Sequence, residues 1–289
     1  MRSRYAVIGM AVIAALAAGC GSVAAPSASS SSPAPAPRST AVTPSPQGSV
    51  PTPSPAQPAW PTASRSGPST GAGQLTGITV GEHGSYDRVV FTFTNAIPGY
   101  AVGYVRDVLS DAKGDVVALP GQAFLRIVFR PASAYATYSG PDTVTPLFPT
   151  LLQVRAAGDF ESYLSFGIGL SLRAGFRVLT LTQPYRVVID VAHGSLPRFP
   201  GVWDITSWPQ FWRMQAEFND GHQPWRASRM MVVQSWAVAN LPDSSVTQIS
   251  SDVYRVVQDS SGRQAVISGV RPVDTGQARL WVITRISES

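Results

Sequence analysis

Tyr86-Asp87-Arg88-Val89-Val90-Phe91-Thr92-Phe93-Thr94 decides the fold. Val89, Phe91 and Phe93 alternate with Arg88, Val90 and Thr92, and a period of two sends alternate side chains to opposite faces of a strand. β-Branched and aromatic residues fill the run and neither Gly nor Pro breaks it, which suits a half-buried strand. The same pattern recurs outward from it, at 78–82, 100–105, 124–129, 152–156, 162–170, 176–181 and 185–191. Turn residues separate these runs and no long helical period interrupts them. The stretch is therefore mainly β, and it predicts an antiparallel β-sandwich or small barrel.

A second strand reads like the first. Pro184-Tyr185-Arg186-Val187-Val188-Ile189-Asp190 again runs aromatic, arginine, then β-branched. It resembles the P-x-R-x-V-(I/L)-D strand of AMIN domains, which recur in cell-wall amidases and secretion pores. Tyr86-Asp87-Arg88, Pro98-Gly99-Tyr100, Gly158-Asp159-Phe160-Glu161 and Gly167-Ile168-Gly169 follow in an order that is similar to the AMIN-like domain of actinobacterial lipoproteins. The resemblance covers Gly77 to Gly194, somewhat under half of the chain. It implies a sandwich of two similar sheets and, by analogy, attachment to peptidoglycan or another envelope polymer.

Beyond residue 200 the period changes. Ser207 can cap a helix that carries Pro209 in its first turn, and Trp208, Phe211, Trp212, Gln215 and Phe218 fall on one face. Asn219-Asp220-Gly221 stops it. A second helix is predicted over 230–239, with Met231, Val232, Trp236 and Val238 available for burial. Strands at 254–258, 265–270 and 280–286 follow, with hairpin turns at Asp259-Ser260-Ser261-Gly262 and Asp274-Thr275-Gly276. Two helices plus a three-stranded meander make a small α+β domain.

Ahead of the sandwich the composition is biased. Arg2 and Arg4 precede an apolar stretch at 6–18, the length of a secretory h-region and short for a membrane span. Leu16-Ala17-Ala18-Gly19-Cys20 is similar to the lipobox read by lipoprotein signal peptidase, with Ala17 where a strict lipobox has Leu. An ordinary secretory signal or a short anchor remains the other reading. Cys20 is the chain's one cysteine, so lipidation removes an otherwise unpaired exported thiol, and no disulfide can support the fold. Residues 21–73 are almost wholly Ser, Ala, Thr, Pro and Gly, too poor in apolar side chains to offset ordering entropy. About fifty such residues can reach on the order of 100 Å. Trp60 is the one large apolar residue there, either incidental or a docking anchor. The expected organisation is a signal peptide at 1–19, a disordered linker at 20–73, an AMIN-like β-sandwich at 74–198 and the α+β domain at 199–289.

The 289 residues carry 22 Lys+Arg, Lys113 being the only lysine, against 17 Asp+Glu. No basic run tracks a phosphate backbone, so nucleic acid is not an expected partner. Three scattered histidines and Cys20 do not make a zinc site, and no phosphate loop or dinucleotide fingerprint occurs. No cofactor, metal or catalytic residue is expected. Asp159 with Glu161 can be acid–base partners or loop-shaping residues, and His193 and Ser195 lack a nucleophile elbow. Arg88 and Arg186 can bind an anion, or sit on a sheet surface paired with Asp87 or Asp190. In Asn219-Asp220-Gly221-His222-Gln223-Pro224-Trp225-Arg226, Asp220 and His222 can be an acid–base pair and Trp225 a sugar platform. Alternatively the segment is a helix–helix turn, with Trp225 packed on the sheet and His222 bonded to a backbone carbonyl. The expectation is a non-catalytic binding module, lipid-anchored at Cys20 on the extracytoplasmic face of the cell membrane. Its expected partner is peptidoglycan or an envelope glycopolymer, or alternatively an exported protein that it recruits.

Overall fold

A computed structural model describes residues 58–274 and 279–289. Cys20, the expected signal peptide, most of the expected linker, and Thr275 and Gly276 of the second expected hairpin turn lie outside the described residues. The sandwich comprises β1 (Arg65–Gly67), β2 (Gly73–Glu82), β3 (Tyr86–Thr94), β4 (Gly99–Val105), β5 (Ala123–Arg130), β6 (Ala132–Ser133), β7 (Thr143–Val144), β8 (Leu151–Phe160), β9 (Tyr163–Leu170), β10 (Phe176–Thr182) and β11 (Tyr185–Ala192). Two sheets form, in the orders β1-β4-β5-β9-β8-β7 and β10-β11-β3-β2-β6. All eight strands expected from periodicity are present. The added ones, β1, β6 and β7, are two or three residues long, too short to show a period. All the pairings are antiparallel except β2 with β6.

Period-two burial fills the space between the sheets. Val89, Phe91 and Phe93 of β3 are at most 1% exposed, facing Leu125, Ile127 and Phe129 of β5. The Phe91 ring centre lies 5.0 Å from those of both Phe129 and Phe166. Burying each such ring contributes about 1.5–3 kcal/mol, which must support a fold without disulfides. Outside this core, Gly167 and Gly169 let the segment ahead of β5 lie flat on β9. A Cβ at Gly169 would stand 2.1 Å from the Pro120 carbonyl oxygen, and one at Gly167 would stand 2.7 Å from Leu119 Cδ1.

Asp87 also points into the core side of β3, at 0% exposure. Oδ2 accepts hydrogen bonds from the amides of Thr150 and Leu151, each at 2.8 Å, and Oδ1 meets His193 Nε2 at 2.8 Å. β3 belongs to one sheet and Leu151 opens β8 in the other, so one carboxylate ties the two layers together. His193 brings the end of β11 to the same point.

The fold begins earlier than composition suggests. Pro61 accepts from the amide of Phe176 (3.1 Å) at the edge strand β10, and β1 pairs with β4 in the other sheet. Residues 61–67 thus run from the start of the edge strand β10 in one sheet to a short pairing with Tyr100–Val102 of β4 in the other. The expected boundary near residue 73 missed this strap because Ser, Gly and Pro carry no burial signal.

The C-terminal part contains α1 (Trp208–Asn219), α2 (Arg229–Asn240), β12 (Ser244–Ser250), β13 (Val253–Gln258), β14 (Gln264–Val270) and β15 (Val282–Glu288). Ser207 caps α1 by accepting from Gln210 N. The meander has four strands, ordered β12-β13-β14-β15, rather than the expected three. β12 is an edge strand whose seven residues include no buried one, so its polar sequence hid it. On α2 the buried residues are Val232, Val233, Trp236 and Ala237, while Met231 and Val238 are 50% and 76% exposed. The buried stripe is thus rotated relative to the expected one. Phe211 and Trp212 of α1 cluster with Leu152 of β8 and Val282 of β15, so α1 is wedged between sandwich and meander. Removing the Asp87 carboxylate strands two amides and a histidine in a dry site. Asp87→Ala should therefore cost about 3 kcal/mol or more in urea unfolding, with Asp87→Asn, which keeps an acceptor, costing less.

Candidate binding surface

Register assembles the strongest candidate site. On the outer face of the five-stranded sheet, Asp190 of β11 stands directly opposite Arg88 on β3 and Arg177 on β10. Directly opposed residues share a face and come close enough to pair. Arg88 donates from Nε to Asp190 Oδ1 at 2.6 Å and from Nη2 to Oδ2 at 3.0 Å, while Arg177 Nε reaches Oδ2 at 2.8 Å. Asp190 is 0% exposed, whereas the Arg88 and Arg177 side chains are 30% and 40% exposed. Two guanidiniums on one carboxylate leave a net positive charge facing solvent. The hydrogen bonds to Asp190 raise the Arg88 pKa above its usual value despite burial.

Aromatic rings border this charge. The Tyr86 hydroxyl accepts from Arg88 Nη2 at 3.4 Å, and the Arg88 guanidinium carbon lies 5.4 Å from the ring centre. The Trp60 ring lies 5.6 Å from Tyr86, and Arg177 stacks on it at 4.4 Å. His83, brought back by the β2–β3 hairpin, stacks on Tyr86 at 4.4 Å. Trp60 is therefore a packed residue of the surface, and not an incidental one. A Cβ on Gly175 would overlap its carbonyl oxygen, so glycine is what admits the strap here. Arg186 lies on the same outer face, opposite Thr92 and Leu181, with no ionic partner among the described residues. Leu179 and Leu181 beside it are 37% and 43% exposed, so an apolar strip adjoins the charged cluster.

The other sequence candidates are dispersed. Asp220 ends α1, and its carboxylate faces Arg155 of β8 at 3.4 Å. His222 is exposed; its main-chain N–H bonds to Glu217 O at 2.9 Å, and no partner of its imidazole is found among the described residues. The expected imidazole–carbonyl bond is thus replaced by a main-chain one. Trp225 packs against the C-terminal core, and the Arg226 guanidinium covers its ring at 4.5 Å. Arg226 itself is held by Asp204 and Gln223, which leaves Trp225 a structural residue. Asp159 accepts from the Ser133 hydroxyl and Ala134 N, the loop-shaping role, while Glu161 sits in the tight β8–β9 turn at φ 48°. Ser195 is exposed, and His193 is engaged with Asp87.

A concavity lies on the six-stranded sheet. It encloses about 600 Å3 between the strap at Gly67–Ser69 and the Arg130–Tyr163 pair. Arg130 donates to the Tyr163 hydroxyl at 2.5 Å and lies over its ring at 5.2 Å. Phe160, directly opposite Tyr163 in the hairpin, is 62% exposed. Among the described residues no group of three metal-binding side chains lies together, and no helix is long and apolar enough to cross a membrane.

Sequence reasoning found Arg88 but missed Arg177 and the packing of Trp60. The signal for Arg177 was the two-residue turn Gln183-Pro184, which fixes the β10–β11 register and sets Arg177 opposite Asp190. Asp190→Asn should leave the paired guanidiniums without their counter-charge. We expect a loss of roughly 2 kcal/mol in urea unfolding, reduced from that of a fully buried pair because both arginines reach solvent.

Neither a curated protein nor a solved structure matches the chain. The family model of the AMIN-like domain matches residues 73–193, from the first residue of β2 to just past the end of β11. The segment it covers is the two-sheet body that holds Asp87, Arg88, Arg177 and Asp190, whereas Trp60 and the α+β part lie outside it. Over residues 73–193, somewhat under half of its length, this chain is similar to the AMIN-like domain family.

Proposed function

We propose that this protein is a non-catalytic binding module of the cell envelope, anchored through a lipid on Cys20, whose AMIN-like domain engages peptidoglycan or a related envelope polymer. The observation that carries the reading is the surface of Arg88, Arg177, Trp60 and Tyr86 around the buried Asp190. Sugar rings stack on aromatic faces, and guanidiniums with free N–H groups bind acidic substituents. Arg88, Arg177 and Tyr86 share the outer face of one sheet, along which an extended polymer strand can lie. The Ser/Ala/Pro-rich stretch after Cys20 suits a tether between bilayer and wall.

The alternative, recruitment of an exported protein, draws on the other sheet. The 600 Å3 groove, lined by Tyr100, Val128, Pro131 and Tyr163, and the adjoining hollow at Leu109, Phe160 and Tyr163 give this sheet an apolar and aromatic surface of the kind that protein interfaces use.

The mature chain with Cys20→Ala should sediment with purified insoluble sacculi at about 0.15 M salt, where long-range attraction is screened beyond about 8 Å. A chain left in the supernatant would end the polymer reading. In cells, Cys20→Ala should release the protein into the medium or leave its signal uncleaved, as read by fractionation and mass; a processed chain still fixed to the membrane would exclude the lipid.

A further inference from the structure

Building on the polymer-binding reading, we infer that the Arg88–Arg177 surface recognises a carboxylate carried on an N-acylated glycan, and not a neutral sugar or a phosphodiester chain. Asp190 engages Nε and Nη2 of Arg88 but only Nε of Arg177, so Arg88 Nη1 and both Nη groups of Arg177 make no hydrogen bond among the described residues. The buried carboxylate fixes both guanidiniums in place, which removes most of the entropy that a surface arginine loses on binding. The residual charge of the triad is that of one cation, which matches one carboxylate.

Three neighbours define the rest of the ligand. Trp60 and Tyr86 are half-buried, with Arg177 and Arg88 packed over their rings, and the aromatic surface left exposed borders the charge where a sugar ring can pack. Leu179 and Leu181, on the same outer face and partly exposed, offer an apolar strip for methyl groups. Arg186 stands opposite Leu181, two positions along β11 from Val188 and four from Asp190. At about 3.3 Å per residue, Arg186 and Asp190 are roughly 13 Å apart, a distance at which a second acidic substituent of the same polymer can reach it. A carboxylated sugar with acetyl or lactyl methyls presents all these groups together. A polyol phosphodiester presents the charge without a ring face or methyls, and a neutral glycan presents the rings without the charge.

The test uses the mature chain with Cys20→Ala and four preparations of sacculi: untreated, stripped of phosphate polymers by hydrofluoric acid, amidated at carboxyl groups with carbodiimide and ethanolamine, and doubly treated. Binding should survive the acid and weaken at least tenfold on amidation. Arg177→Lys keeps the charge but loses the planar fork, and it should weaken binding to acid-stripped sacculi about fivefold or more while the chain remains folded at the assay temperature. Arg271→Gln, an exposed arginine of the meander end, removes a charge and should leave that binding within twofold. Equal binding to amidated sacculi, binding lost with the phosphate polymers, or equal effects of the two substitutions would each overturn the inference. Failure to bind untreated sacculi would instead overturn the polymer reading on which it rests.

Discussion

The carboxylate of Asp87 is the constraint on which the sandwich depends. A charged group at 0% exposure is stable only when its lone pairs are filled, and here two backbone amides and a histidine fill them. Those amides belong to the start of β8, in the opposite sheet. Apolar packing between the sheets is non-directional and would tolerate sliding. The hydrogen bonds to Asp87 do not, because a shift of one residue would leave a buried charge unpaired.

The same alternation that turns Asp87 inward turns Tyr86 and Arg88 outward, so structural and candidate binding residues are adjacent in sequence and opposite in space. Asp190 makes the complementary choice on β11. It lies on the outer face, where a carboxylate among arginines neutralises part of their repulsion and holds their donors toward solvent. Charge on the two faces therefore does different work: inside it fixes register, outside it presents cations beside aromatic rings.

The elements outside the matched domain contribute as well. The strap carries Trp60 to the start of β10 and then pairs with β4, so it completes the aromatic surface while linking the two sheets. On another flank, α1 inserts Phe211 and Trp212 against Leu152, and Asp220 meets Arg155. The concentration of tryptophan between residues 203 and 236 is explained mainly by these packing roles. The residues that looked most chemical in the sequence, Asp220, His222 and Trp225, are there a helix end, an exposed turn and a packed ring.

The sequence by itself determined the eight longer strands of the sandwich, both helices and the faces of β3, because period and capping are local properties that side-chain chemistry expresses directly. It determined that Arg88 lies on an outer face, and that no disulfide can form. Only the tertiary structure decided which charges meet. Arg88 and Asp190 are 102 positions apart, and their pairing exists only once β3 and β11 lie side by side in one register. Trp60 was illegible for the same reason: its neighbours carry no apolar signal, and its packing is created by Tyr86 and Arg177 from distant strands. β12 and the exposed side of α2 were misread because burial at an edge or a helix flank depends on what lies beside it, which no local pattern records.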